Sequence, residues 1–139
     1  SRSSAASDLY KRQALYKRET DWLAMQRRLK NYYRSRGNGD EHRRVATILA
    51  DAFPFVASAQ LDAGTLLLAQ NRPLDSLRYL HRAVRYGQSD PAAAHLALAD
   101  GYSKAGYPGR ARVVLEQLLA REPGNAAARE RLDRLDQSG

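Results

Sequence analysis

The sequence predicts an all-α protein assembled from antiparallel helix pairs. Three observations carry that expectation. Apolar residues recur with the helical period along nearly the whole chain. Tight turns rich in Gly, Pro and Asn interrupt them at regular intervals. Two segments superpose when the chain is slid by 35 residues.

Composition agrees. A chain of 139 residues, 43% apolar, can bury one compact core. Ala, Leu and Arg dominate and β-branched residues are sparse, which favours helix over strand. The absence of cysteine excludes disulfides, thiolate metal sites and a thiol nucleophile. No run of apolar residues is long enough to span a membrane. Residues 1–7 are small and polar and read as a disordered linker, without the apolar core of a signal peptide. A signal, lipid anchor or membrane helix upstream of Ser1 stays open. The net charge of +8 is uneven: residues 1–44 hold 12 Lys/Arg against 5 Asp/Glu. Such an imbalance suits an acidic protein, nucleic acid or an anionic surface.

The elements follow in order. Residues 8–36 read as one long helix, or two with a break near Thr20-Asp21. Leu15, Trp22, Met25, Leu29 and Tyr32 share one face, widened by Leu9, Tyr16 and Leu23. Gly37-Asn38-Gly39 ends it. A helix over 41–53 turns Val45, Ile48, Leu49 and Ala52 inward, and Pro54 stops it and can open the next, over 55–70. Asn71-Arg72-Pro73 turns the chain into a helix over 74–86. After the loop 87–90, Asp90 can cap and Pro91 can begin a helix over 91–105. Gly106-Tyr107-Pro108-Gly109 leads to a helix over 109–121. Glu122-Pro123-Gly124-Asn125 leads to the last, over 126–136.

The superposition at 35 residues places Asn71-Arg72-Pro73-Leu74 on Gly106-Tyr107-Pro108-Gly109, Leu80 on Leu115 and Gly64 on Ala99. In the segment 92–125, His95, Leu98, Ala99 and Tyr102 stand in the order aromatic-x-x-Leu-small-x-x-Tyr. Gly106 marks the turn, Ala111 and Leu115 follow, and Pro123 closes the unit. This segment resembles the tetratricopeptide repeat, a helix pair of about 34 residues. The segment 57–91 is a looser copy. Gly64, Leu67, Ser76, Leu80 and Ala83 fit, Gln60 replaces the aromatic, Asn71 replaces the turn glycine, and the closing Pro91 comes late. The pair over 8–56 can be laid on the motif through Leu29, Tyr33 and Gly37, but Lys30 then takes the close-packing site. The resemblance implies a right-handed superhelix of helix pairs, a TPR-like solenoid. A long N-terminal helix precedes it, and a polar capping helix over 126–136 closes it, with Leu132 and Leu135 inward and Arg129, Glu130, Arg131, Asp133, Arg134 and Asp136 outward. Gly64, Ala99, Ser76 and Ala111 would permit close helix crossings, and Leu67, Tyr102, Leu80 and Leu115 would fill the space between hairpins.

The resemblance also implies a concave groove lined by the first helix of each pair. Here its positions are Ser58, Leu61, Asp62, Thr65, Leu68, Ala93, Leu96, Ala97, Asp100, Ser103 and Lys104. Some members of the family clamp a partner's terminal carboxylate with Lys and Asn. Leu61 and Leu96 stand where the cation belongs, and Thr65 and Asp100 where the Asn belongs, so that clamp is absent. The groove suits an apolar or helical segment of another protein. The alternative is that Leu61, Leu68 and Leu96 pack on the chain's own N-terminal helix.

A second candidate surface is the basic set Arg27, Arg28, Lys30, Arg34, Arg36, Arg43 and Arg44, with Tyr32 and Tyr33 among it. Nucleic acid or an acidic surface would be its partner; a solvated helix face is the plainer account. Self-association through the N-terminal apolar stripe is a further alternative. Catalysis has no support. His42, His81 and His95 are scattered, and no metal-ligand spacing, phosphate loop or nucleophile motif occurs. No cofactor is expected. The expectation is a non-enzymatic scaffold or adaptor. The Ala/Arg/Leu-rich style suggests a bacterial cell-envelope or secretion-type assembly, with a lean to the periplasm or a membrane-anchored parent protein.

Overall fold

The computed structural model describes residues 2–87 and 90–138; side chains 2, 3, 15, 16, 18 and 19 lie outside the description, and with them the expected stripe positions Leu15 and Tyr16. Gln88 and Ser89 of the expected 87–90 loop are likewise outside it. Among the described residues there are seven helices and no strand. They are α1 (Arg2–Ser35), α2 (Gly39–Ala52), α3 (Ala57–Ala69), α4 (Pro73–Tyr86), α5 (Pro91–Lys104), α6 (Pro108–Arg121) and α7 (Ala126–Ser138). Two compact units divide the chain, residues 1–45 and 46–139.

The period is written into the helix ends. α3, α5 and α7 begin at residues 57, 91 and 126, intervals of 34 and 35. α2, α4 and α6 begin at 39, 73 and 108, the same intervals. The helices before them stop by one device. Gly37 (φ 69°), Asn71 (φ 58°) and Gly106 (φ 89°) are left-handed. At each, two backbone N–H groups turn back onto the helix. Asn71 N donates to Leu68 O at 3.0 Å and Arg72 N to Leu67 O at 2.8 Å. Gly106 N donates to Ser103 O at 3.2 Å and Tyr107 N to Tyr102 O at 2.8 Å. Gly37 N and Asn38 N bond Arg34 O and Tyr33 O likewise. This is the double-bonded helix stop that satisfies the last carbonyls. Asn71 can stand in for glycine because asparagine tolerates the left-handed region.

Starts differ from the expectation in three places. α1 begins at Arg2, so the segment read as a linker is helical from there, and no break occurs near Thr20-Asp21; Ala5 and Ala6 are strong helix formers. Pro54 stops α2 but does not open α3. A turn with Val56 N bonded to Phe53 O intervenes, and α3 starts after the extended Val56. Asp90 holds the cap position of α5 without a side-chain bond, its ψ of 76° lying short of the extended geometry from which a cap reaches the helix. The side-chain caps are asparagines instead. Asn38 Oδ1 accepts from Glu41 N at 3.2 Å, and Asn125 Oδ1 from Ala128 N at 3.0 Å. Pro73, Pro91 and Pro108 occupy first helical positions, where a missing N–H costs nothing.

In the unit 46–139, α3 packs on α4, α4 on α5, α5 on α6 and α6 on α7, while α3 also touches α5. The small positions named from sequence are buried: Gly64, Ala99, Ser76 and Ala111. So are Leu67, Leu80, Tyr102 and Leu115. A Cβ on Gly64 would lie 2.5 Å from Leu80 Cγ, so only glycine lets α3 and α4 cross there. Gly101 makes a second close crossing, with its would-be Cβ 3.2 Å from Leu77 Cδ2. Gln60, in the aromatic slot of the motif, is fully buried and donates from Nε2 to Ala50 O at 2.7 Å and to Phe53 O at 3.1 Å. Two bonds donated by one amide thereby fasten α3 to the end of α2 and the turn after it. His95, in the same slot of the next unit, is bonded through Nδ1 to Pro91 O at 2.7 Å. In α2, Val45, Ala46, Leu49 and Ala50 are buried. Ala52, expected inward, is exposed, because the helix ends at that residue.

Gly64→Ala should cost about 1–3 kcal/mol, since the fully buried Leu80 has no room to retreat. Asn71→Val should cost about 1–2 kcal/mol through left-handed strain, and Asn71→Gly should not. Urea unfolding midpoints check all three; a wild-type midpoint for Gly64→Ala would refute the tight crossing.

Candidate functional site

The first helices of successive pairs, α3 and α5, are neighbours, and α7, packed on α6, reaches α5 through Arg131. Along this row lie the groove positions named from sequence. Leu61 and Leu96 are half-buried and rest on the main core cluster. Leu68 and Ala97, each 9% exposed, belong to that core and back the groove rather than face a partner. Ser58, Thr65, Ser103 and Lys104 are exposed; Asp62, Ala93 and Asp100 are intermediate. The Thr65 hydroxyl donates to Leu61 O at 2.8 Å, on its own helix. Lys104 lines a hollow with Asn71, Pro73 and Asp75 at the α3–α4 turn, away from Leu61 on the preceding turns.

Asp100 is already engaged. Arg131 of α7 grips it with both arms, Nε to Oδ1 at 2.9 Å and Nη2 to Oδ2 at 3.0 Å. That hydrogen bonding holds the Arg131 guanidinium above its ordinary range. A cleft of about 250 Å³ opens beside the pair, lined by Asp100, Ser103, Leu115, Arg131, Arg134 and Leu135. Arg131 and Arg134 were expected on an outward polar face of a capping helix. Arg131 instead points at α5. The missed signal was the period itself: residue 131 is one repeat after Ala97, an inner-face position. In the capping helix α7, Ala128 is fully buried as Ala94 is in α5.

The basic set is dispersed. Arg28 of α1 borders the column of Met25, Leu29 and Tyr32, as does Arg36 just past the helix end with its guanidinium over the Tyr32 ring, whereas Arg27 and Arg34 lie about a third of a turn or more away from it. On α2, Arg44 pairs with Glu41 at 2.8 Å. The half-buried side of α1 carries Trp22, Gln26, Lys30 and Tyr33, adjacent to the apolar column predicted as its inner face. Met25, Leu29 and Tyr32 themselves are 48%, 36% and 51% exposed.

The histidines are apart. His42 and His95 are buried on different helices. His81 Nε2 is hydrogen-bonded to the Tyr102 hydroxyl, and Arg110 stacks over the rings of Tyr102 and Tyr107 at 5.9 and 5.7 Å. Burial, then the charge of Arg110, pushes the His81 imidazole below the ordinary histidine range. Among the described residues no group of three His, Asp or Glu side chains is placed to hold a metal. No helix is long and apolar enough to cross a membrane among the same residues.

Stacked helix hairpins with a row of first helices on one side define a helical-repeat module. Residues 91–132 match the family model described as tetratricopeptide repeat. The fold of the chain is that of tetratricopeptide-repeat domains. It is similar to the first TPR of Spaghetti (RPAP3) bound to the HSP90 peptide SRMEEVD, with a TM-score of 0.70 and 18% identity over 84% of this chain and 91% of that one. It is likewise similar to the second TPR domain of human RPAP3 in complex with the HSP70 peptide SGPTIEEVD, with a TM-score of 0.69 and 17% identity over 82% and 98%. No curated protein matches the chain in sequence.

Arg131→Ala should loosen α7 selectively. The pair is partly exposed, so the loss should stay near or below about 1 kcal/mol. Hydrogen exchange should rise in 126–138 and stay unchanged in α3 and α4; uniform protection everywhere would contradict the link. His81 makes a pH prediction. Its folded pKa lies below the unfolded value of about 6.5, so the unfolded chain takes up the proton first. Stability should be level above that pH and fall as pH drops through it. His81→Asn should flatten the slope of the unfolding midpoint between about pH 7 and about pH 5.

Proposed function

We propose that the chain is a non-enzymatic protein–protein interaction scaffold or adaptor that takes a partner segment along the inner faces of α3, α5 and α7. One observation carries this reading. Leu61 and Leu96 stay half-exposed on adjacent first helices, above a core that already contains Leu68 and Ala97. Two apolar side chains at equivalent positions of successive repeats are suited to anchor residues of an amphipathic or extended segment. Ser58, Asp62, Thr65 and Ser103 give the row a polar margin, and Arg131 and Arg134 add cations at the α7 end. Likeness to repeat domains solved with chaperone peptides supports a peptide partner. With leucines at the cation positions, recognition here rests on apolar side chains of the partner and not on its terminal carboxylate. The Ala/Arg/Leu-rich composition supports a place in a bacterial cell-envelope or secretion-type assembly.

An affinity pull-down from the native cell's lysate tests this, run with nuclease at low and high salt. The Leu61→Glu/Leu96→Glu chain, verified for unchanged helicity, serves as the comparison. A protein retained at high salt by wild type should fall at least tenfold with the variant. Recovery indifferent to the variant would move the binding site off the groove and end this reading.

A further inference from the structure

We propose that α1 docks in the plane of an anionic lipid surface, with Met25, Leu29 and Tyr32 entering the headgroup layer and flanking arginines meeting the lipid phosphates. These three residues, spaced four and three apart, form one column on the helix. All three are exposed, at 48%, 36% and 51%, while the half-buried side of the helix runs through Trp22, Gln26, Lys30 and Tyr33. The apolar column is therefore the exposed side of α1.

Charge selects the occupant. Arg28 stands three residues after Met25 and four before Tyr32, so it flanks both. The Arg36 guanidinium lies over the Tyr32 ring, 5.0 Å from its centre. One carboxylate, Asp21, shares this side. Residues 1–44 as a whole hold 12 basic against 5 acidic side chains. A second copy would bring the same positive charge to the column and be repelled. Nucleic acid would engage the arginines but leave Met25 and Leu29 in water. An anionic bilayer satisfies both: headgroups take the cations and the acyl boundary takes the apolar column. With no helix suited to spanning among the described residues, the mode is lying on the surface rather than crossing it.

The test uses the whole chain with vesicles of phosphatidylcholine alone and of equimolar phosphatidylcholine and phosphatidylglycerol. Wild type should co-sediment with the mixed vesicles and not with the neutral ones. Met25→Gln/Leu29→Gln keeps every charge and replaces only exposed side chains; it should lower vesicle binding at least tenfold. Arg28→Glu/Arg36→Glu should do the same. Leu61→Glu/Leu96→Glu should bind vesicles as wild type does, which separates this surface from the groove. No binding to mixed vesicles overturns the proposal. So does full binding by Met25→Gln/Leu29→Gln, which would mean unspecific charge attraction, or a concentration-dependent dimer that forms in place of vesicle binding.

Discussion

The recurring left-handed helix stop is the constraint on which the rest of the structure depends. Each hairpin needs its second helix to return along the first at one fixed angle. A single residue with positive φ, followed by two backbone bonds into the preceding turn, sets that angle at Gly37, Asn71 and Gly106. Because the stop recurs from Asn71 to Gly106, the first helices α3 and α5 come to equivalent positions. The crossings at Gly64 and Gly101 then close the helices to contact distance. Without the stop those glycines would face nothing.

The inner row of helices inherits its chemistry from this geometry. Equivalent positions of α3 and α5 present Leu61 and Leu96, and Asp100 of α5 pairs with Arg131 of α7. The row thus carries apolar side chains on α3 and α5 and gains cations toward α7. The ion pair consumes the only groove acid on α5 and leaves Arg134 beside it, itself near Glu130 at 3.4 Å. A ligand meeting this end finds cations at the rim and a carboxylate already satisfied. On the proposed groove reading, apolar anchors with orienting charges at one end would fix the polarity in which a partner segment lies.

Most of the fold was legible because its demands are local. Gly37, Asn71 and Gly106 announce a left-handed conformation by residue type alone, and Pro73, Pro91 and Pro108 announce a first helical turn. The small positions Gly64, Ser76, Ala99 and Ala111 were legible through the period. What stayed hidden depended on distant partners. Gln60 looked like a poor substitute for an aromatic until its two carbonyl acceptors on α2 and the following turn were in view. Arg131 looked solvated because α7 is polar all along its outer side, and only the partner on α5 gives it a direction. Asp90 has the right residue type for a cap in the wrong backbone geometry. On α1 the apolar spacing was read correctly, but spacing alone does not say which side of a helix is covered.

The order of packing in residues 46–139 has a kinetic meaning. α3 meets α4, α4 meets α5, α5 meets α6 and α6 meets α7, while α3 also meets α5 and Arg131 of α7 reaches Asp100 of α5. Every step of assembly closes a short loop, which keeps the entropic barrier low and places such a chain among fast folders. Folding can nucleate at any hairpin and grow in either direction, as a one-dimensional chain of coupled units does. Fraying should then proceed from the α7 end, held by the Arg131 and Arg112 pairs, before it reaches the glycine crossing of α3 and α4.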